Sequence, residues 1–355
     1  MLTRRDYRLF ALVAVAAAAS GVTRFVHAGT VVPFLASSVA LALLAMLVGH
    51  AVDALGNRLG AGATGVVQSA LGNLPELFVC IFSLRAGLDE VVRAAIVGSI
   101  LANALLVLGL AFVVGGVKHG VQRFDAAAAR MLCLLILLAV CTLLVPALTA
   151  ALHTPAAGHE KSLSIVVSVL LLAVFALSLP AATARAKSEQ HEENAVGDAE
   201  HVSGWPIWLA LTVLAVAGLA AAVVSEWFVH ALEPAIDTFG ISQAFAGLVV
   251  VAIAGNAVEN VVGIQLAARN RMDYAVSLIL QSPLQIALVL APVLVLVAPL
   301  VGASFTLVLS PLLIATLVIA VLVTVVVVLD GESTWLEGSA LLALYGVLAA
   351  AFWWG

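Results

Sequence analysis

Apolar residues occur in long, nearly unbroken blocks along most of the chain, and short polar clusters separate these blocks. Each block is about as long as the ~20 helical residues that cross ~30 Å of hydrocarbon. The alternating ~10-residue pattern of an outer-membrane barrel does not occur. The pattern therefore predicts an all-α polytopic membrane protein with about eleven transmembrane helices, near residues 7–26, 31–52, 62–86, 91–116, 127–151, 161–181, 206–231, 240–267, 273–298, 302–329 and 336–354.

Composition agrees with this class, because 64% of the 355 residues are hydrophobic and only 10% are charged. Soluble domains carry about 25% charged residues. The net charge of −5 is spread over the loops and gives no basic surface for nucleic acid. Cys80, Cys133 and Cys141 lie in apolar blocks without metal-type spacing, so we expect them to be small core residues. The first apolar block lacks a small-residue cleavage site, which argues against a cleavable signal peptide.

Aromatic and basic residues predict the orientation in the membrane. All six tryptophans fall near predicted span ends, as interfacial aromatic belts require: Trp205, Trp208, Trp227, Trp335, Trp353 and Trp354. If the N-terminus is cytoplasmic, the inner segments hold eleven of the fifteen Lys and Arg residues, and the outer ones hold Arg24, Arg85, Arg93 and Lys161. The positive-inside rule then predicts a cytoplasmic N-terminus, an outer C-terminus and, for a bacterial protein, the inner membrane.

Residues 182–204 interrupt the hydrophobic pattern with a run of acidic and other polar side chains. Such a segment cannot lie in lipid, so we expect a cytoplasmic linker after the sixth span. One interpretation is a solvated, partly disordered connector. The other is a regulatory acidic helix that senses cations.

Two acidic residues lie in the middle of predicted spans, where a charge is costly and usually functional. Glu76 and Glu259 each end a Gly-Asn-x-x-Glu motif, and the two motifs are 183 residues apart. A serine follows each glutamate by 23 residues, at Ser99 and Ser282. Further polar residues lie just beyond these serines. The candidate cation-binding residues are Asn73, Glu76, Ser99, Asn103, Asn256, Glu259, Ser282 and Gln285.

The repeated motifs predict the domain organisation. Five spans precede the acidic linker after an extra first helix, and five follow it. A tandem unit with an odd number of spans inserts in opposite orientations, which is the inverted-repeat plan of secondary transporters. We therefore expect an extra helix at 1–29, a first five-helix repeat at 30–181, the linker at 182–204 and a second repeat at 205–355.

The candidate residues supply only oxygen ligands. In each motif the Asn and Glu are three residues apart on one helix face, and the preceding glycine allows close helix approach. Pro75 and Pro283 cannot donate to the carbonyls four residues earlier, which are thereby freed. Free carbonyls at membrane depth are tolerated where they line a cavity. Carboxylates, amides, hydroxyls and carbonyls suit hard cations such as Ca²⁺, which take about 6–8 oxygens.

Each candidate also has a purely structural interpretation. The glutamates could be permanently protonated or paired acids, although no basic residue lies in mid-span to pair with them. The amide side chains could hold helices together, and the serines could bond back to their own helices. We expect the histidines at span ends to be interfacial: His50, His119, His153 and His230.

The motifs resemble those of the Ca²⁺/H⁺ antiporters (cation/proton exchangers) of the Ca²⁺:cation antiporter superfamily. The resemblance is carried by residues 72–77, 98–109, 255–259 and 282–288, and matching span order extends it over nearly the whole chain. It implies that the paired glutamates bind the cation and exchange protons, while the Asn, Ser and Gln positions line the site. The family also commonly has an acidic stretch between its halves.

The chain departs from the family pattern in three places. The family usually has Ser at the position of Ala102, His at that of Asn260, and Gly-Ser-Ser/Thr-x-Gln where this chain has Gln281-Ser282-Pro283-Leu284-Gln285. The sodium/calcium exchanger branch typically has Thr-Ser before its Pro-Glu and an Asp near Gln285. Gly72-Asn73 and the neutral Gln285 therefore favour the proton-coupled branch.

The expected function is secondary exchange of Ca²⁺, or a related cation, for H⁺, with the lipid bilayer as surroundings and without a cofactor. A Na⁺- or K⁺-coupled antiporter and a cation channel are the alternatives, and the oligomeric state stays open. Channels usually assemble their filters from several subunits. An enzyme is not expected, because no span supplies a nucleophile–base pair, two catalytic aspartates or a His-Glu-x-x-His zinc helix.

Overall fold

The computed structural model describes residues 3–26, 29–59, 71–196 and 205–354, which are helical almost throughout. In chain order the helices of these ranges are α1 Arg4–Phe25, α2 Val31–Leu59, α3 Leu74–Arg85, α4 Asp89–His119, α5 Ala126–Ala151, α6 Glu160–Val196, α7 Ile207–Phe239, α8 Gln243–Gly255, α9 Ala257–Ala268, α10 Met272–Val301, α11 Pro311–Val327 and α12 Trp335–Trp353. Two short strands, β1 Gln122–Arg123 and β2 Glu332–Ser333, pair antiparallel.

The helices confirm the predicted class of an all-α polytopic membrane protein. Within the described ranges, eight helices are long and apolar enough to cross a membrane, and the bent pair α8–α9 would make a ninth. α11 is a shorter apolar helix. The predicted total of eleven spans stays a prediction, since the third span at 62–86 falls partly on residues 60–70, outside the described part.

Three helices run further than their sequence patterns predict. The second span was predicted to end at residue 52, before the polar cluster at 53–58. α2 instead continues through this cluster to Leu59. α7 has 33 residues and is therefore about 50 Å long, so it extends beyond the hydrocarbon layer. α6 continues to Val196 through most of the predicted acidic linker. Its Ala, Lys, Glu and Gln residues have high helix propensity and explain this extension. Residues 197–204 of the linker lie outside the described part.

The prediction of one helix over 302–329 is wrong at its start. Gly302 has φ +77° and ends α10 in the left-handed conformation, and residues 303–310 form neither helix nor strand. Along this segment Phe305, Leu307 and Leu309 are buried, with less buried residues between them, as in a strand. α11 begins only at Pro311, because proline suits the first helical turn and the preceding serine caps it.

The chain forms two compact units, and residues 1–82 and 173–238 form the first. Here α1 packs along α2, and the ring of Phe34 on α2 stacks on Phe228 of α7 at 5.7 Å. The buried Trp205 contacts the rings of Phe10 and His50, at 5.6 and 6.1 Å between ring centroids. Aromatic contacts thus connect the two N-terminal helices to the segment that leads into α7.

Residues 83–172 and 239–355 form the second unit, and α4 and α10 are its central helices. In the most apolar stretch of 18 residues, 72% of the residues of α4 and 61% of those of α10 are buried. These shares are the highest among the candidate spans of the described ranges. α4 crosses α8 at Gly98 and Gly247. A side chain on Gly98 would meet the backbone of Leu248, and one on Gly247 would meet the carbonyl of Val91. These two glycines allow backbone contact that brings α4 against α8.

Connections at one end of this unit are joined by polar contacts. The Gln122 amide donates to the Ala267 carbonyl and to the side chain of Asn270, at 3.1 and 2.8 Å. Asn270 has φ +60°, which Asn tolerates better than most residues. The Asp125 backbone N–H donates to the Asp273 carboxylate. The α4–α5 and α9–α10 connections are therefore held together around β1.

Candidate functional site

The two Gly-Asn-x-x-Glu motifs do not lie inside continuous helices, as the sequence had suggested, but at helix beginnings. In the second motif α8 ends at Gly255, Asn256 has non-helical dihedrals of −99° and 26°, and α9 begins at Ala257. The two segments of this broken span are inclined by 62°. In the first motif Gly72 and Asn73 form a turn before α3. The span is thus broken at the asparagine in both motifs.

The break gives both glutamates the same backbone position. Glu76 and Glu259 are each the third residue of a helix. A helix N-terminus favours a negative charge by about 0.3–1 kcal/mol, and more when partly buried. Pro75 is the second residue of α3. A backbone N–H at this position would have no acceptor within the helix, so proline, which lacks the N–H, loses no hydrogen bond there. It therefore fits a helix start rather than a kink within a helix. Pro283, in contrast, does lie inside a helix, α10.

Three of the predicted residues form a buried hydrogen-bonded cluster in the second unit. The Asn103 Nδ2 group of α4 donates to Asn256 Oδ1 at 3.0 Å and to the Ser282 hydroxyl of α10 at 3.2 Å. The Ser282 hydroxyl donates to Asn256 Oδ1 at 3.1 Å. Both asparagines are 0% exposed, and Ser282 is buried. The structure thus brings together residues from both halves of the sequence.

Backbone carbonyls fix the orientation of both amides in this cluster. Asn103 Nδ2 also donates to the carbonyl of Ser99 at 3.0 Å, and Asn256 Nδ2 donates to that of Ala252 at 2.8 Å. Since a carbonyl only accepts, the nitrogen of each amide must face it. Asn256 Oδ1 then accepts two hydrogen bonds. Asn103 Oδ1 is buried and has no hydrogen-bond partner among the described residues.

An unsatisfied buried oxygen costs about 1–3 kcal/mol in a folded protein. Such groups are rare in native structures unless a ligand, an ion or water satisfies them. Asn103 Oδ1 is therefore chemically suited to be a cation ligand. An amide oxygen is a hard donor of the type that Ca²⁺ takes.

Local helix geometry positions the ends of this cluster. A π-helical segment at Ala102–Val107 contains Asn103, and another at Ile286–Leu290 directly follows Gln285. Such segments add a residue to the turn and often occur at functional sites. Ser99 and Gln285 are buried one turn or less from the clustered residues of their own helices. In both halves a π-helical segment thus lies at or directly after the polar position that follows the serine.

Asn73 and Glu76 belong to the first unit, and both are buried there; Glu76 is 0% exposed. The backbone carbonyl of Asn73 accepts from the N–H of Leu77 at 2.9 Å, so it begins the hydrogen bonding of α3. The side chain of Glu259 lies outside the part of the chain that the structure describes. Among the described residues, no three His, Cys, Asp or Glu side chains lie together as a metal-binding group.

Two polar residues near the cluster were not singled out as site residues from the sequence. The buried Thr324 hydroxyl of α11 donates to the carbonyls of Ala320 and of Ala104, which lies in a π-helical segment. Asn260 follows Glu259, and its buried Oδ1 has no hydrogen-bond partner among the described residues. A polar residue inside an otherwise apolar span was the signal for Thr324. For Asn260, the signal was its position one residue after a mid-span acid.

Comparison with known proteins finds the same family over most of the chain. The chain matches the family described as sodium/calcium exchanger protein over residues 29–183 and 209–354. It is 34% identical to the Ca²⁺/H⁺ antiporter ChaA of Bacillus subtilis, over 97% of this chain and 98% of the relative. A Ca²⁺/H⁺ antiporter of Aphanothece halophytica is 32% identical, over 92% of this chain and 91% of the relative.

Solved structures extend the similarity to three dimensions. The structure of native YfkE has a TM-score of 0.82 and 32% identity, and the match covers 97% of this chain and 99% of that one. The structure of the H⁺/Ca²⁺ exchanger CAX has a TM-score of 0.73 at 14% identity, over 99% of this chain and 92% of that one. At that identity the likeness concerns the fold alone.

Proposed function

Because the chain belongs to the sodium/calcium exchanger protein family, we propose that it is a secondary antiporter that exchanges Ca²⁺ for H⁺ across a membrane. Relatives at 32–34% identity over more than nine-tenths of this chain are named Ca²⁺/H⁺ antiporters. Their chains are covered almost completely as well, so the proposal concerns the whole protein and not a single shared domain. Transporter relatives also agree with the expectation that the chain is not an enzyme.

The buried cluster of Asn103, Asn256 and Ser282 is the observation that carries this proposal. It presents the unsatisfied Asn103 Oδ1 inside a membrane protein, on the helix that the second unit buries most deeply. The cluster contains amide and hydroxyl groups and no basic side chain. We propose that Ser99 and Gln285, buried in the same unit, complete the neutral ligands for Ca²⁺.

Glu76 and Glu259 are the proposed ionisable ligands, together with Asn73 beside the first of them. Glu76 is 0% exposed, and a carboxylate buried in this way is unfavourable unless a proton or a cation neutralises it. Ca²⁺ supplies two positive charges for two carboxylates, and two protons supply the same charge. Since the two ways of neutralising the carboxylates exclude each other, loading with Ca²⁺ requires release of protons. This is the physical basis of obligatory exchange.

Alternating access in this proposal relies on two inverted repeats, residues 30–181 and 205–355, with residues 1–29 as an extra helix and 182–204 as the linker. The breaks at Asn73 and Asn256 support this division, because discontinuous helices at matching positions in two halves are typical of such transporters. The distribution of Lys and Arg supports a cytoplasmic N-terminus and an outer C-terminus in a bacterial inner membrane.

Sodium coupling is the main alternative, since the family also includes sodium/calcium exchangers by its description. Relatives above 30% identity carry Ca²⁺/H⁺ antiporter names. The sodium–calcium exchanger structures NCX_Mj share only about 20–22% identity and support the fold alone. The neutral Gln285 also argues for proton coupling, because several Na⁺ beside a divalent site would favour a further carboxylate.

Ion flux in proteoliposomes tests this function. Purified protein is reconstituted in sodium-free buffer, a pH gradient is imposed, and Ca²⁺ uptake is followed with a trapped fluorescent indicator. A panel of other cations at equal concentration then ranks the substrates. We expect Ca²⁺ accumulation above the external concentration, and we expect a protonophore to abolish it. Ca²⁺ movement only down its own gradient would instead identify a channel. Ca²⁺ uptake driven as well by a sodium gradient as by a pH gradient would identify the sodium-coupled branch.

A further inference from the structure

A cavity of about 380 Å³ lies in the first unit, and none of the candidate cation-site residues lines it. It is bounded by the last turn of α1, the start of α2 and the C-terminal half of α7. Its polar lining consists of Ser20, Thr23, Arg24, Thr30, Trp227 and His230. None of these residues takes part in the exchange proposed above. The cavity therefore needs an explanation of its own.

The helices place this cavity near the boundary between hydrocarbon and water. Trp227 is twenty residues beyond the start of α7, which corresponds to about 30 Å along a helix, the thickness of the hydrocarbon layer. Arg24 lies in the last turn of α1, and tryptophan is enriched at this boundary. Exposed apolar side chains of α1 and α2 stand close in sequence to lining residues, namely Val22, Val32 and Leu35.

The chemistry of the lining fits an anion. Arg24 supplies a positive charge, and no described lining residue is acidic. α2, a helix of 29 residues, begins at the cavity wall and has no acidic residue in its first turn. Its N-terminal backbone N–H groups and helix dipole favour a negative group. The acids Glu226 and Glu233 of α7 do not line the cavity.

One buried hydroxyl in the lining makes no hydrogen bond to the part of the chain that the structure describes. Thr23 donates to the Ser20 carbonyl at 2.9 Å, and Thr30 pairs with the hydroxyl of Thr238 at 2.9 Å. Ser20, in contrast, is only 2% exposed, and its hydroxyl has no hydrogen-bond partner among the described residues. A buried hydroxyl without a partner costs about 1–3 kcal/mol, so a bound acceptor would remove this cost.

We propose that this cavity binds the phosphodiester headgroup of an anionic phospholipid from the adjacent leaflet. The Arg24 guanidinium and the Ser20 hydroxyl donate to the phosphate oxygens. The ring of Trp227, which packs against Gly21, forms one wall. The acyl chains lie along the exposed apolar residues of α1 and α2. These exposed apolar side chains favour a lipid over free phosphate, which would make no use of them.

Lipid binding to the purified full-length protein tests the proposal. Detergent-solubilised protein is titrated with dioleoyl phosphatidylglycerol, dioleoylglycerol or inorganic phosphate, and binding is followed by native mass spectrometry and by the melting temperature. We expect phosphatidylglycerol to bind and to raise the melting temperature, and the other two to have little effect. Equal stabilisation by dioleoylglycerol would show that only acyl chains matter. Equal stabilisation by inorganic phosphate would show a free-anion site. Either result would overturn the proposal.

Variants locate the lipid in this cavity. Arg24→Gln should weaken phosphatidylglycerol binding by about tenfold or more, because it removes a charge-assisted contact. Arg85→Gln is the matched control, since Arg85 is an exposed arginine at the end of α3, is predicted to lie on the same side of the membrane and does not line the cavity. Equal loss of affinity in both variants would contradict a specific site.

Ser20→Ala keeps the proposal testable even if Arg24→Gln folds poorly. Alanine removes a hydroxyl that has no partner among the described residues, so the melting temperature without lipid should stay the same or rise. The affinity for phosphatidylglycerol should fall severalfold in the same protein. Unchanged lipid affinity in Ser20→Ala would exclude this hydroxyl as a phosphate ligand and overturn the proposed geometry.

Discussion

Replacing Asn103 with leucine separates a cation ligand from a purely structural amide, because leucine has a similar size and no polar atoms. The substitution removes the hydrogen bonds of the two Nδ2 hydrogens, which are shared among three acceptors at 3.0–3.2 Å. Each contributes about 0.5–1.5 kcal/mol to stability. It also removes the unsatisfied Oδ1, which costs about 1–3 kcal/mol. The two effects largely cancel, so the free energy of unfolding should change by only about 1 kcal/mol.

The former partners of Asn103 keep other hydrogen bonds in this variant. Asn256 Oδ1 still accepts from the Ser282 hydroxyl, and the Ser99 carbonyl still accepts from the backbone N–H of Ala102. No new buried group is therefore left unsatisfied. Ca²⁺ binding, in contrast, loses one oxygen ligand. A hydrogen-bond-like interaction with a charged group contributes about 1.5–3 kcal/mol, so the KM for Ca²⁺ should rise roughly 10- to 100-fold.

Initial rates of Ca²⁺ uptake into proteoliposomes at a fixed pH gradient measure this KM, and thermal unfolding in detergent measures stability. Thr316→Val is the matched control, since it removes a buried hydroxyl that bonds only within its own helix among the described residues. Its KM should stay close to the wild-type value. A large fall in the melting temperature of Asn103→Leu with an unchanged KM would refute the ligand role and make Asn103 a structural amide.

Further predictions concern packing, charge and the linker. Gly98→Ala should lower the melting temperature strongly, because its side chain would meet the Leu248 backbone, whereas the control Gly346→Ala has open space and should not. Gln285→Asp should weaken proton-coupled Ca²⁺ uptake, since one Ca²⁺ cannot neutralise a third carboxylate; faster uptake would contradict this charge count. Neutralising the acidic linker should shift the Ca²⁺ dependence of transport without abolishing it, and complete loss in a folded protein would contradict this expectation. The linker residues to be changed together are Glu189, Glu192, Glu193, Asp198 and Glu200.

The hydrophobic pattern was sufficient to predict the class of fold, because in lipid only a helix or a closed barrel satisfies the backbone. It was less reliable for helix ends. Residues 303–310 were predicted to be part of a span but are not helical, since Gly302 ends one helix and Ser310-Pro311 begins the next. In α2 and α6 the helices continue through polar residues, because helix propensity does not end where hydrophobicity does.

The repeated motif directed attention to the residues of the candidate site, and the structure brings three of them into direct contact. The sequence could not predict that Asn103 donates to Asn256, because this contact depends on the close crossing of α4 and α8 at Gly98 and Gly247. It also could not predict the π-helical segments, since these arise from packing between helices and not from a local sequence signal. The breaks at Asn73 and Asn256 were not predicted, because proline, the usual signal of an interrupted helix, occurs in only one of the two motifs.

Proton-driven Ca²⁺ uptake by the Glu76→Gln and Glu259→Gln variants tests the central claim most directly. Glutamine keeps the size of the side chain but cannot release a proton or carry a negative charge. Glu90→Gln, which changes an exposed acid of α4, is the matched control and should transport at the wild-type rate. We predict that each of the two variants folds, with a melting temperature close to that of the wild type, and shows no Ca²⁺ uptake driven by a pH gradient. Substantial proton-driven exchange in either variant would contradict the claim that both glutamates couple Ca²⁺ to H⁺.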